Sequence, residues 1–211
     1  MSTKIKICGL SKVEDIDAVN EVLPDYIGFV FWPKSKRYIS PEQAADLKNR
    51  LDSKIKAVGV FVDEDIDIVC SLVKCGTIDV VQLHGSEDED YIAAIRSRVD
   101  CEIIKAFNVN GLNSFETVEA STADHIMLDS GKGSGVTFDW NKINEVKRPF
   151  FLAGGLNLEN VADVLRNIRP YALDISSGVE TDGHKDRQKI IDFIKFSRGT
   201  DPLAYKEEEK L

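Results

Sequence analysis

The sequence lacks the features that mark membrane-bound, secreted and metal-stapled proteins. No apolar run approaches the roughly 18 residues that cross a bilayer, and the opening MSTKIKICGL lacks the apolar core and cleavage site of a signal peptide. The four cysteines, at positions 8, 70, 75 and 101, form no CxxC pair, so neither a zinc site nor a disulfide scaffold is expected. These absences predict a cytoplasmic protein with reduced thiols and no membrane contact.

Positive charge is also scarce. The 211 residues contain 27 Lys and Arg against 36 Asp and Glu, a formal net charge of −9. Because nucleic-acid binding needs clustered Lys and Arg, this balance argues against a nucleic-acid partner. The hydrophobic share of 43% is ordinary for a globular chain, and the length suits one large α/β domain or two small ones.

The sequence does contain a repeated pattern of short apolar runs. They are rich in Ile, Val, Phe and Leu, as parallel strands buried on both faces tend to be. They begin roughly 20 to 30 residues apart, which is the length of one strand–helix unit. The eight runs are KIKICG, YIGFVF, IKAVGVFV, DVVQLHG, EIIKAF, HIMLDS, FFLAGG and ALDISSG. Helical spacing fills the stretches between them, with Ser40 and Asn157 as N-cap candidates and Pro41 at a first helical position.

Eight strand–helix repeats predict an α/β fold, a single-domain (β/α)8 TIM barrel, over residues 1–198. A doubly wound sheet is the structural alternative, but no GxGxxG turn follows the first strand, which weakens its dinucleotide-binding form. Residues 199–211 are predicted to be a charged C-terminal tail, either a frayed helix or disordered.

Polar residues that close a strand run are the candidates for a site, because barrel active sites lie at the C-terminal ends of the strands. Cys8 closes the first run and Asp129 closes the sixth. Two proton-transfer groups on different sides of the barrel mouth suit an isomerisation, in which one group gives a proton and the other takes one. The alternatives are a buried, unreactive Cys8 and an Asp129 that only caps a helix or makes a hydrogen bond within a loop.

Three further strand ends carry polar candidates. His84 follows the fourth run, where it fits a base, a substrate contact or a satisfied strand-end histidine. Arg37, in the basic segment PKSKRYIS, is either part of a solvated turn or a bidentate clamp for a substrate carboxylate. Asp174 lies in the eighth run.

Glycine-bearing turns follow the last two strands, the usual phosphate cradle of this fold. Gly154 and Gly155 follow the seventh run, and Ser177 and Gly178 follow the eighth. Glycines let backbone N–H groups approach an anion, although the same residues also suit plain tight turns. A third glycine-bearing loop, around residues 130–137, is either a mobile lid or a solvated loop.

Several stretches together resemble the phosphoribosylanthranilate isomerase family. From residue 6 to about residue 180, in the family's order, they are KICGL, GFVFWPKSKRYISPEQA, VGVFVDE, VQLHGSED, GSGVTFDW, LAGGLNLENV and DISSGVE. The resemblance implies an Amadori rearrangement of N-(5-phosphoribosyl)anthranilate in tryptophan biosynthesis, with no metal and no organic cofactor. The implied partner is this small phosphorylated substrate carrying anthranilate, and a monomer and a homodimer both remain open.

The resemblance also implies roles for the candidates. Cys8 is the general base that removes the C2′ proton, and Asp129 is the general acid that protonates the ribose ring oxygen. Arg37 holds the anthranilate carboxylate. The other implied contacts are His84 and Asp174 on the substrate, and Gly154, Gly155, Ser177 and Gly178 on its phosphate.

Some features leave other interpretations open. In the loop after strand six, Lys132 and Val136 depart from the family pattern. A related phosphosugar barrel would use paired carboxylates or a Lys–Glu pair at its strand ends, where this chain has Cys8. A non-catalytic phospholigand-binding barrel would need neither Cys8 nor Asp129. Gly9 is expected to leave room for the ligand beside the Cys8 thiol.

Overall fold

The protein is a closed barrel of eight parallel strands. The computed structural model describes residues 2–112, 114–131, 143 and 145–200. The strands are β1 Lys4–Cys8, β2 Tyr26–Val30, β3 Lys56–Phe61, β4 Val80–Leu83, β5 Glu102–Asn108, β6 His125–Asp129, β7 Phe150–Ala153 and β8 Ala172–Ile175. They pair in chain order, and β8 closes on β1. The predicted TIM barrel is confirmed, and the doubly wound alternative is wrong.

Helices cover the barrel from outside. The helices in the described residues are α1 Val13–Val22, α2 Pro41–Lys48, α3 Ile66–Lys74, α4 Glu89–Arg96, α5 Glu116–Ala120, α6 Val161–Asn167 and α7 Arg187–Thr200. Between β8 and α7 lie a 3-10 turn, Ser177–Val179, and a small hairpin of β9 Glu180–Thr181 and β10 His184–Lys185. No helix in the described part of the chain is long and apolar enough to cross a membrane.

Strand alternation sorts the side chains into two layers. In β1, Ile5 and Ile7 pack outward among the helices. Because successive side chains of a strand point to opposite faces, Lys6 and Cys8 face the barrel interior. Below them the interior is filled by a separate apolar cluster that includes Tyr26, Met127, Phe151 and their neighbours. Above this cluster, at the C-terminal ends of the strands, the barrel interior is left for polar groups.

Of the two predicted helix caps, one is confirmed and the other is wrong. Ser40 caps α2, since its hydroxyl accepts a hydrogen bond from the N–H of Gln43 at 3.2 Å, and Pro41 is the first helical residue, as predicted. The predicted cap at Asn157 is wrong, because α6 begins only at Val161. The Asn157 side chain instead accepts the N–H groups of Glu159 and Asn160, so it closes the turn before the helix.

The end of the chain and one loop bear on the sequence predictions. Helix α7 continues to Thr200, two residues past the predicted end of the barrel domain at 198. The rest of the predicted tail, 201–211, lies outside the described residues. So does most of the predicted lid at 130–137, of which Ser130 and Gly131 are described.

Candidate active site

The strand ends bring the predicted acid and the predicted histidine into direct contact. Asp129 ends β6, and its Oδ2 lies 3.1 Å from Nε2 of His84, which follows β4. The other imidazole nitrogen, Nδ1, accepts a hydrogen bond from Nε2 of Gln82 at 2.9 Å. Because the amide nitrogen only donates, this bond places the neutral imidazole's proton on Nε2, facing Asp129. Gln82 was missed by the sequence analysis.

The surroundings of Asp129 favour its ionised form. Burial raises the pKa of this carboxyl, but hydrogen bonds from His84 and from the Gly131 N–H at 2.9 Å outweigh burial. The pKa of Asp129 is therefore lowered. In the ligand-free protein Asp129 is a carboxylate, and it needs a proton before it can serve as an acid.

Cys8 lies at the top of the barrel interior between two lysines. Its burial raises the pKa of the thiol, while Lys6 and Lys185 act in the opposite direction. The net direction is upward, so the resting thiol is protonated at neutral pH. Two nearby ammonium groups nevertheless favour the thiolate once a base or a ligand removes the proton.

Lys6 is a fully buried ammonium below Cys8. Its Nζ donates to Oδ1 of Asp174 at 2.9 Å, and both side chains are almost inaccessible to solvent. Burial lowers the pKa of Lys6, but the neighbouring Asp174 and Cys8 more than offset it, so the pKa is raised. The predicted substrate contact Asp174 is thus the counter-ion of Lys6 in this structure. Lys6 lies inside the first apolar run, and the sequence analysis assigned it no role.

Arg37 reaches the same region from the loop after β2. Its Nε and Nη2 donate to Oε1 and Oε2 of Glu180 at 2.5 and 2.9 Å. The predicted carboxylate clamp therefore already holds an internal carboxylate. Glu180 also accepts from Lys185 at 2.8 Å. Neither Glu180 nor Lys185 was identified from the sequence.

Gly9 makes room for Arg37. A Cβ at Gly9 would lie 2.4 Å from Cδ of Arg37, and the residue has φ +84°, a conformation that favours glycine. The expectation that Gly9 leaves space for the ligand is therefore wrong, because the arginine stem occupies that space. The residue that follows Cys8 therefore packs against the side chain of Arg37.

The two predicted phosphate turns lie against each other. A Cβ at Gly178 would lie 2.0 Å from the carbonyl oxygen of Leu156, so the turn after β8 packs on the loop after β7. Gly154 and Gly155 both have positive φ, +95° and +66°. A Cβ at Gly154 would also approach Asp129 Oδ1 to 2.8 Å. The structure thus places Gly154, Gly178 and the predicted acid around one end of the barrel mouth.

Glu180 gives the protein an acid-sensitive contact. Burial raises the pKa of Glu180, but Arg37 and Lys185 outweigh it and lower the pKa to about 2, below the unfolded value of roughly 4.3. The resulting stability is present above the unfolded pKa and is lost as pH falls through the folded pKa. Burial lowers the pKa of Lys185, but Lys185 stays charged in acid and therefore adds nothing to the pH dependence of stability in that range. We expect Glu180 to contribute about 3 kcal/mol to the fall in unfolding free energy between pH 5 and 2.

Denaturant unfolding of Glu180→Gln across this pH range checks the expectation. The variant should lose less stability on acidification than the unaltered protein. Glu159→Gln, at an exposed glutamate, should follow the unaltered protein. Parallel pH curves for Glu180→Gln and Glu159→Gln would contradict the expectation.

The described residues contain no cluster of three or more His, Cys, Asp or Glu side chains placed to hold a metal ion. The polar groups at the mouth are instead a thiol, a carboxylate paired with an imidazole, and several cations. A barrel with such groups at the C-terminal ends of its strands has the architecture of the (β/α)8 enzymes that work by proton transfer.

Comparison with known proteins narrows this class to one family. The model of the family described as N-(5'phosphoribosyl)anthranilate (PRA) isomerase matches residues 5–196. The chain therefore belongs to the N-(5'-phosphoribosyl)anthranilate isomerase family, as the sequence motifs predicted. It is 45% identical over 201 residues to the N-(5'-phosphoribosyl)anthranilate isomerase of Endomicrobium trichonymphae, covering 92% of this chain and 98% of the relative.

Solved structures of similar proteins agree. The phosphoribosyl anthranilate isomerase of Thermotoga maritima has a TM-score of 0.83 and 38% identity, covering 93% of this chain and 99% of that one. TrpF of Jonesia denitrificans has a TM-score of 0.84 and 33% identity, with 95% and 99% covered. A further phosphoribosyl anthranilate isomerase structure is a complex with reduced 1-(o-carboxyphenylamino)-1-deoxyribulose 5-phosphate. It has a TM-score of 0.80 and 37% identity, covering 93% of this chain and 99% of that one.

Proposed function

We propose that this protein catalyses the Amadori rearrangement of N-(5-phosphoribosyl)anthranilate to 1-(2-carboxyphenylamino)-1-deoxyribulose 5-phosphate. The reaction is an aldose–ketose isomerisation in tryptophan biosynthesis. The observation that carries the proposal is the family match over residues 5–196, together with a similar solved protein that binds the reduced form of this product. The cytoplasmic location stays a prediction, as does the choice between monomer and homodimer.

Asp129 starts the proposed reaction by protonating the ribose ring oxygen. This proton transfer lets the C1′–O bond break, and the anilino nitrogen supplies electrons to form an iminium ion. The anionic carboxylate and phosphate of the substrate raise the pKa of Asp129 when they bind, since like charges disfavour a carboxylate. The proton itself comes from solvent, and His84, whose Nε2 lies 3.1 Å from Oδ2 of Asp129, orients the carboxyl group.

Cys8 completes the proposed reaction by removing the C2′ proton. The electrons of that C–H bond neutralise the iminium ion and give an enaminol, which becomes the ketone when its hydroxyl proton moves to C1′. One proton is given at the ring oxygen and one is taken at C2′, so the reaction leaves Asp129 ionised and Cys8 protonated. Exchange of one proton each with solvent then restores the acid and the thiolate for the next turnover. The ammonium groups of Lys6 and Lys185 stabilise the thiolate that this step requires.

The remaining candidates hold the substrate in this proposal. Arg37 binds the anthranilate carboxylate, and the imidazole of His84, one-third exposed, contacts the substrate at the mouth. Asp174 holds Lys6 through Oδ1, and its second oxygen is assigned to a substrate hydroxyl. The backbone around four residues binds the phosphate: Gly154, Gly155, Ser177 and Gly178.

Turnover of N-(5-phosphoribosyl)anthranilate by the purified protein, followed by the loss of anthranilate fluorescence, tests the function. We expect turnover without added metal or cofactor. A non-catalytic phospholigand barrel would bind the compound without converting it. A protein that converts a different phosphosugar and not this one would contradict the proposal.

Lys185→Met is expected to move the pH profile of kcat/KM. The ammonium of Lys185 lowers the pKa of Cys8, so its removal raises the pKa of the base. Activity rises with pH as the thiol ionises, and the rising limb should therefore shift to higher pH. The matched control is Lys56→Met, which removes an exposed ammonium paired with Glu102 away from Cys8. An unshifted limb in Lys185→Met would show that Lys185 does not act on the base.

A further inference from the structure

We infer that Glu180 is a positioning residue that holds one edge of the Arg37 guanidinium, so that its other edge selects substrates carrying a carboxylate. The inference rests on the proposed function and deepens it. It assigns the preference for an acidic aromatic ring to a contact between two protein side chains, rather than to Arg37 alone.

Glu180 contacts one edge of the Arg37 guanidinium and leaves another edge free for a ligand. Glu180 takes the Nε and Nη2 donors, which form the side-on edge of the guanidinium. An arginine has five N–H donors in a rigid plane. The end-on edge, formed by one N–H of Nη1 and one of Nη2, is therefore left for a second carboxylate. Within the described residues, Glu180 is the sole hydrogen-bond acceptor for this guanidinium.

The aliphatic stem of Arg37 is held in place as well as its guanidinium. It crosses directly over Gly9, where a Cβ would clash with Cδ at 2.4 Å. Gly9 follows Cys8 in the chain, so the arginine stem passes next to the residue that follows the proposed base. Only 22% of the Arg37 side chain is exposed. A clamp with both its stem and one edge held loses little conformational freedom when a ligand binds.

Glu180 is itself anchored to the end of β1. Lys185 donates both to Oε1 of Glu180 at 2.8 Å and to the carbonyl oxygen of Ser176 at 2.9 Å. The Ser176 hydroxyl then donates to the carbonyl oxygen of Cys8 at 2.9 Å. Through these bonds the position of Glu180 is tied to that of the thiol.

The charge balance explains why a second carboxylate is accepted next to the first. Glu180 is contacted by Arg37 and Lys185 and lies 3.6 Å from the ammonium of Lys36. One negative and three positive groups leave a positive excess around Glu180. Glu180 thus orients the arginine without cancelling the attraction for an anionic ligand.

The test compares two substrates that differ only in the carboxylate, N-(5-phosphoribosyl)anthranilate and N-(5-phosphoribosyl)aniline. The measured quantity is the ratio of their kcat/KM values. In Glu180→Gln this ratio should fall on the order of tenfold, mainly through a higher KM for the anthranilate compound, because a charge-assisted contact no longer orients Arg37. Glu159→Gln, at an exposed position, should keep the ratio of the unaltered protein.

A double variant separates positioning from general damage. Arg37→Met should abolish the preference for the carboxylate, and adding Glu180→Gln to it should change the ratio no further. If Glu180→Gln does not fold, Glu180→Asp, which keeps the charge but shortens the reach, is measured in its place. An equal loss on both substrates, or an unchanged ratio, would overturn the inference. Absence of turnover in the unaltered protein would overturn the proposed function instead.

Discussion

Asp129→Asn is expected to lower kcat by roughly 10²-fold or more, the usual contribution of a general acid. Asparagine has nearly the same shape, and its carbonyl oxygen still accepts the hydrogen bond that His84 offers at 3.1 Å. It has no ionisable oxygen, however, and cannot deliver a proton to the ribose ring oxygen. The variant should therefore fold and bind substrate while ring opening becomes slow.

Steady-state kinetics on N-(5-phosphoribosyl)anthranilate, together with a thermal unfolding curve, check this result. The matched control is Asp124→Asn, just before the opposite end of the same strand, where the carboxylate accepts from Arg96 and from the Ile103 N–H. Its kcat should be close to that of the unaltered protein. A nearly unchanged kcat in Asp129→Asn would remove Asp129 from the role of acid.

Cys8→Ser is expected to lower kcat by a similar factor, roughly 10²-fold or more. A serine hydroxyl is far less acidic than a thiol, so the ammonium groups of Lys6 and Lys185 cannot make it an alkoxide near neutral pH. Serine is also smaller than cysteine and leaves the mouth open for substrate. The KM should change much less than kcat.

A pH series sharpens this experiment. The rate of the unaltered protein should rise as Cys8 ionises, whereas the residual rate of Cys8→Ser should show no such rise. Cys75→Ser, at an exposed cysteine, serves as the control and should keep both the rate and its pH dependence. Full activity in Cys8→Ser would show that the base is another group.

The barrel could be predicted because its strands are buried on both faces and appear as separate apolar runs. The same pattern located Cys8 and Asp129, since each is the polar or reactive residue that closes a run. His84 was also found in this way, but its three possible roles could not be separated. Its contacts with Gln82 and Asp129 depend on how neighbouring strands are aligned, and residue spacing within one strand does not contain that information.

The buried charges could not be predicted for a related reason. Glu180 and Lys185 lie in ETDGHKD, a polar stretch with the composition of an ordinary solvated loop. Glu180 becomes buried because Arg37, 143 residues away in sequence, reaches it. Lys6 and Asp174 are 168 residues apart and meet because β1 and β8 pair in one particular register. A buried lysine in an apolar strand lowers stability unless a carboxylate neutralises it, and here that carboxylate is far away in the sequence.

The Lys6–Asp174 pair joins the first strand to the last, and this has a consequence for how activity arises along the chain. A nascent chain that has made seven strands holds Cys8, Arg37, His84 and Asp129, yet it lacks the carboxylates that pair with Lys6 and Arg37 and one of the two ammonium groups near the thiol. Asp174, Glu180 and Lys185 all arrive with the final strand and the hairpin behind it. Activity is therefore expected only after the barrel has closed. A fragment that ends before β8 is expected to contain the proposed base and acid and to be inactive.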